Sequence, residues 1–155
     1  GQKEAWNVLI WFGTLVTLAA GLAEVGFVAW LAKSVAPVFT GLSLYAAIVA
    51  IVGTFYFLHY FFASITAHTA TLLPVFLATA ATIPDLSPTR WALLLGYSLG
   101  LMGILTFYAS GQSAIYYASG FVPKRDFWLL GLVLGMIYVS TYLVIAIPWL
   151  SYLGV

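Results

Sequence analysis

Cysteine is absent from this 155-residue chain. That removes disulfides and thiolate metal sites from consideration. Charge is nearly as scarce, at 6% of residues, where a soluble domain carries roughly 25%. The charges are also clustered. No Asp, Glu, Lys or Arg occurs between Lys33 and Asp85, between Arg90 and Lys124, or after Asp126. The only histidines are His59 and His68, and no carboxylate shares their uncharged run. An acid/base pair, a metal-ligand set and a phosphate-binding loop are all lacking, so the pattern is not that of an enzyme and calls for no cofactor. A net charge of +1 without a basic patch gives no footprint for nucleic acid.

What fills the chain is apolar: 64% of residues are hydrophobic. A helix needs about 20 apolar residues to cross roughly 30 Å of hydrocarbon. A Lys, Arg or Asp at its centre costs roughly 2.5–3.5 kcal/mol on insertion scales. Long stretches without charge are what a bilayer demands. The expected fold class is all-α: a polytopic helical membrane protein with a re-entrant helical hairpin and a broken helix.

Five blocks are expected. Residues 6–22 form a span, and 23–35, with Glu24 and Lys33, an amphipathic interfacial helix. The run 38–83 would reach roughly 69 Å as one helix, over twice the hydrocarbon thickness. It must fold back, and its small, polar midpoint Ala63-Ser64-Ile65-Thr66-Ala67-His68-Thr69 is the place for the turn. The hairpin then has legs Val38 to Phe62 and Thr66 to Thr82. Pro84 to Pro88 is an exposed turn. Block 91–121 would measure roughly 46 Å as a straight helix, so it tilts or breaks. Its only small-polar cluster, Ala109-Ser110-Gly111-Gln112-Ser113, marks the expected break. Residues 127–153 form the last span. The pair Lys124-Arg125 places the 120–126 loop in the cytoplasm of a multi-pass plasma-membrane protein. Gly96/Gly100 and Gly131/Gly135 are small-residue pairs suited to close helix packing. Trp11, Trp30, Trp91, Trp128 and Trp149 sit near block ends, as interfacial anchors do.

Polar interruptions at membrane depth survive only when buried in protein or lining a wet cavity. A helix that restarts there points free N–H groups and its positive end into the cavity, where an anion can bind. Ser64 and Thr66 suit this, since both hydroxyls can donate to a carboxylate, and Ser is a good N-cap. Equally, they can simply cap a short turn outside the membrane. Ser110, Gly111 and Gln112 raise the same pair of readings. His68 is a ligand if it is a cation facing a carboxylate, and structural if it is a neutral imidazole bonded to a neighbouring helix. His59, ahead of Tyr60-Phe61-Phe62, reads as structural.

The stretch His59 to His68 resembles the second hairpin of the divalent anion:sodium symporter (DASS) family, most of all its bacterial citrate/tartrate/succinate antiporter branch. Tyr108-Ala109-Ser110-Gly111, with Ile115 to Gly120, resembles the unwound segment after that hairpin. Trp6 to Trp30 is similar to the helices before it, and Phe127 to Gly131 to the opening of the terminal helix. Family members have two inverted repeats, and this chain resembles the transport part of the second. The resemblance implies substrate contacts at Ser64, Ile65, Thr66, His68, Ala109, Ser110, Gly111 and Gln112. The family's Ser-Asn-Thr tip is here Ser64-Ile65-Thr66. Ile65 removes an amide donor and a sodium site, which implies a sodium-independent exchanger in which His68 takes the ion's place. Gln112 stands where many members have Pro.

The resemblance further implies di- or tricarboxylate anions of the citrate, tartrate or succinate type as substrates, a lipid bilayer, a missing N-terminal repeat and a homodimeric full-length transporter moving elevator-fashion. One repeat supplies half a site, so the chain by itself is expected not to transport. A small membrane scaffold or assembly protein without transport activity remains the competing expectation.

Overall fold

A computed structural model describes residues 10, 13, 14, 17, 18, 20–22, 24–39, 41–83 and 86–154. The expected 6–22 span falls largely outside these residues. The described residues between 10 and 24 are helical. The chain then turns at Gly26, whose φ of +78 lies in the left-handed region that glycine tolerates. The helix α1, Phe27–Val35, follows and packs along the second leg of the hairpin.

The hairpin's first leg, α2 (Leu44–Phe57), starts later than Val38. A 3-10 turn, Ala36–Phe39, comes first, Gly41 takes a φ of +81, and Ser43 caps the helix. A second 3-10 turn, Leu58–Phe61, prolongs the leg. The other leg is α3, Ile65–Ala80. At about 1.5 Å per α-helical and about 2.0 Å per 3-10 residue, the first leg reaches about 29 Å, close to the roughly 30 Å core, and the second about 24 Å, short of it.

The next helix, α4 (Pro88–Leu99), begins three residues before the expected Trp91, because Ser87 caps it and Pro88 fits the first helical position. It also ends ten residues before Ala109, where the expected break begins. The chain continues through a 3-10 turn, Met102–Ile104, and restarts as α5, Gly111–Ala118. The last helix, α6, is Lys124–Tyr152, with Pro123 at its N-cap and Asp126 in its first turn. Its start precedes the expected Phe127, with an extended Pro123 before it and the Asp126 carboxylate suited to the positive end of the helix.

Among the described residues the molecule is all-α, and the segments Leu44–Phe61 and Lys124–Tyr152 are long and apolar enough to cross a membrane. This is a helical membrane protein.

Helix α2 is central. Its Ile51, Val52, Phe55 and Tyr56 are fully buried against Phe76 of α3, Leu94 and Leu95 of α4, and Leu105. Trp91 joins this core instead of facing an interface, being 1% exposed, whereas Trp30 and Trp149 are largely exposed. One end of the fold is fixed by Arg90, whose Nη2 donates to Ser151 Oγ at 2.7 Å. The start of α4 and the end of α6 therefore lie side by side.

The Gly131/Gly135 pair allows a close approach within the chain. A Cβ at Gly131 would lie 2.9 Å from the Ile104 carbonyl oxygen and closer still to that of Leu105, while one at Gly135 would strike the Leu105 side chain. Among the described residues nothing lies within 4 Å of such a position at Gly96. The last helix is thus seated directly on the unwound stretch between α4 and α5.

Candidate functional site

At the hairpin tip, Ser64 is extended and its Oγ accepts from the Ala67 N–H at 3.4 Å. Its carbonyl accepts the first helical bond, from the His68 N–H at 3.0 Å. The N–H groups of Ile65 and Thr66 precede any intrahelical acceptor. A cap oxygen accepts with a lone pair, so the hydroxyl keeps its own hydrogen. Among the described residues the Ser64 hydroxyl donates to nothing. Thr66 is half-buried beside it.

His68, one turn into α3, is 0% exposed and packs edge-on against Phe55, Phe62 and His59, with ring centroids 4.5, 5.1 and 5.2 Å away. Among the described residues neither of its ring nitrogens has a hydrogen-bond partner. Such orphaned polar atoms are rare in native interiors and call for a physical reason. His68 thus stands behind the tip, between the hairpin legs.

The break runs from Gly100 to Ser110 as a series of tight turns. Leu101 N–H donates to Ser98, Leu105 N–H to Met102 and Ala109 N–H to Thr106. Leaving the helix frees carbonyls that lipid cannot satisfy. Side chains take them up. Tyr56 OH donates to the Leu101 carbonyl at 3.1 Å, the Ser113 hydroxyl to that of Gly103, and His59 Nε2 bonds that of Ala109 at 3.1 Å. Ser110 then caps α5, its Oγ accepting from the Ser113 N–H at 3.2 Å.

The Ser110 and Ser113 hydroxyls also lie 3.0 Å apart. Ser113 has one hydrogen, and it goes to Gly103. The Ser110 hydroxyl must therefore be the donor between the two serines. Its hydrogen is committed inside the loop, unlike that of Ser64. What α5 offers outward is the Gly111 and Gln112 N–H groups and the exposed Gln112 amide.

These two helix starts converge. A Cβ placed on Gly103 would lie 3.6 Å from Ser110 Oγ and 3.9 Å from Ile65 Cδ1, so tip and break flank one glycine. A cavity of about 400 Å³ opens beside the break, with Gly103, Ser110, Gln112 and Ser113 on one wall and Phe127, Leu130 and Leu134 of α6 on another. Of the eight expected site residues, Ser64, Ile65, Thr66, Ser110, Gly111 and Gln112 sit at the two helix starts. Ala109 is fully buried, with its N–H and its carbonyl both bonded within the protein. Among the described residues no three His, Asp or Glu side chains gather as a metal site requires.

Sequence reasoning overlooked Tyr56 and Gly103, and took Ser113 only as part of the polar cluster at the break. Tyr56 and His59 lie three apart on one helix face, a spacing that lets both reach the same neighbour. Gly100 and Gly103 were the available sign that the helix ends early, since glycine disfavours a helix interior.

A family model described as the sodium:sulfate symporter transmembrane region matches residues 1–155. L-tartrate/succinate antiporters of Escherichia coli (strain K12), Shigella boydii serotype 4 and Escherichia coli O6:K15:H31 are each 41% identical over 149 residues. That is 96% of this chain and 31% of each relative, so the chain spans about a third of the length of the curated relatives it matches.

Proposed function

We propose, from the premise that this chain belongs to the family of the sodium:sulfate symporter transmembrane region, that it is part of the C-terminal half of a sodium-independent di- or tricarboxylate exchanger. The observation that carries the reading is the pair of Ser-capped helix starts meeting at Gly103. Two helix N-termini that come close to one glycine can attract negative charge through their free N–H groups and dipoles. A dicarboxylate has a charge for each. The relatives are named for exchange of tartrate and succinate, which are dicarboxylates.

In this reading the Ser64 and Thr66 hydroxyls and the Ile65 N–H hold one carboxylate. The Gly111 and Gln112 N–H groups and the Gln112 amide approach the other. Ser110 and Ala109 shape the second loop. Ile65 presents no amide to help hold a sodium ion, and His68, one turn behind the cap, takes its place as a cation only when the bound anion is there to favour the charged imidazole. The other half of the site belongs to an N-terminal repeat in the full-length protein, a homodimer of the inner membrane with the 120–126 loop facing the cytoplasm.

The test is counterflow. Liposomes carrying the full-length transporter and loaded with succinate are expected to take up labelled tartrate, citrate or succinate without sodium. No exchange of any of the three would overturn the proposal. His68→Ala is expected to abolish sodium-free exchange, and retained activity would leave His68 a packing residue only.

A further inference from the structure

We infer that His59 is a positioning residue that holds the hairpin tip and the helix break as one unit; the inference rests on the exchanger reading above. The residue has two attachments. Its backbone carbonyl accepts from the Phe62 N–H at 2.9 Å, closing the turn that leads into Ser64. Its ring Nε2 lies 3.1 Å from the carbonyl of Ala109, the residue before the Ser110 cap. A carbonyl only accepts, so Nε2 carries the hydrogen. One residue therefore fixes the approach to both helix starts.

The link is reciprocated next door. Tyr108 OH donates to the Tyr60 carbonyl at 2.8 Å, so residues 59–60 and 108–109 exchange side-chain-to-backbone bonds in both directions. Tyr60 and Tyr108 also pack on Trp128, with centroids 5.6 and 6.0 Å away, which presses the clamp against α6. His59 is 0% exposed, and the carbonyl it holds is equally out of reach of water. A buried carbonyl without a donor is costly, so the bond constrains where Ala109 sits. Each loop donates to one end of a short anion, so the distance between loops sets whether both ends bind at once. Small errors of position in such an arrangement have large effects.

The full-length transporter, with any other cysteines replaced, would carry spin labels at Ala63→Cys and Ala114→Cys, both on exposed positions beside the two helix starts. His59→Phe keeps the ring's bulk and removes the donor. We expect it to broaden the label-to-label distance distribution and to raise the KM for succinate exchange about tenfold, with the maximal rate changed less. His59→Gln, whose amide nitrogen stands near the place of Nε2, should restore a narrow distribution and a near-normal KM. Tyr108→Phe should broaden the distribution to a smaller degree, and it decides the matter if His59→Phe does not fold. An unchanged distribution in the folded Phe variants, or a Gln variant no better than Phe, would overturn the inference. If the parent protein exchanges no dicarboxylate, the exchanger reading fails and the distance distributions alone decide the clamp.

Discussion

Ser64 and Ser110 occupy the same position in their helices, and each accepts from the N–H three residues on. Their hydrogens go to different ends. Among the described residues Ser64 donates its hydrogen to nothing, whereas that of Ser110 closes a chain through Ser113 to the Gly103 carbonyl. The reason lies in what each loop must satisfy. The tip joins two helices through only three non-helical residues, Phe62 to Ser64, and few carbonyls are freed. The break unwinds from Gly100 to Ser110, and Tyr56, His59 and Ser113 are recruited to hold it. A short turn can present its serine to a ligand, and a long one uses its serine as mortar.

The largest effect should come from removing the free donors. Ser64→Ala with Thr66→Ala is expected to weaken succinate binding to the full-length transporter about a hundredfold, since hydrogen bonds to a charged group contribute about 1.5–3 kcal/mol each. Equilibrium binding of labelled succinate measures this, and unchanged affinity would take the tip out of the site. Next in size is Gly131→Ala, whose methyl group would run into the Ile104 and Leu105 carbonyls. Overpacking of this kind costs about 1–3 kcal/mol, and a lowered thermal midpoint in detergent would report it. Ser113→Ala should cost about 1–2 kcal/mol by stranding the Gly103 carbonyl and loosen the break more than the tip; proteolysis between Gly100 and Ser110 is the readout. The smallest change should have the opposite sign. Among the described residues Gly96→Ala meets nothing within 4 Å, and exchanging a helix-interior glycine for alanine adds up to about 1 kcal/mol of stability. A destabilised Gly96→Ala would mean that this face is packed as tightly as that of Gly131.

The hairpin was legible in the sequence because a length argument forces it: a run from Val38 to Ile83 cannot cross once, and Ser64 is its best cap. The restart at Ser110 was legible for the same reason. The start of the break was not. Leu101, Met102 and Leu105 are as apolar as any helix residue, and the helix ends there because of carbonyl partners supplied from distant parts of the chain, Tyr56 and His59. No local pattern encodes that. Trp91 misled for a related reason. Its place near a block end suits an interfacial anchor, but packing of α4 onto α2 and α6 buries it. His68 was legible as a residue near the tip, while its enclosure by Phe55, Phe62 and His59 depends on how the two legs close.

In the proposed exchanger the two caps look alike and act differently, Ser64 on the anion and Ser110 on the protein. Replacing serine by glycine at an N-cap costs the helix only a few tenths of a kcal/mol, so the hydroxyl can be removed while the cap is nearly kept. Succinate affinity of the full-length transporter should fall about tenfold in Ser64→Gly, the loss of one hydrogen bond to a charged group. Ser110→Gly should fall by clearly less. Equal affinity in Ser64→Gly and the parent, or a larger loss in Ser110→Gly, would mean that the Ser64 hydroxyl does not hold the anion.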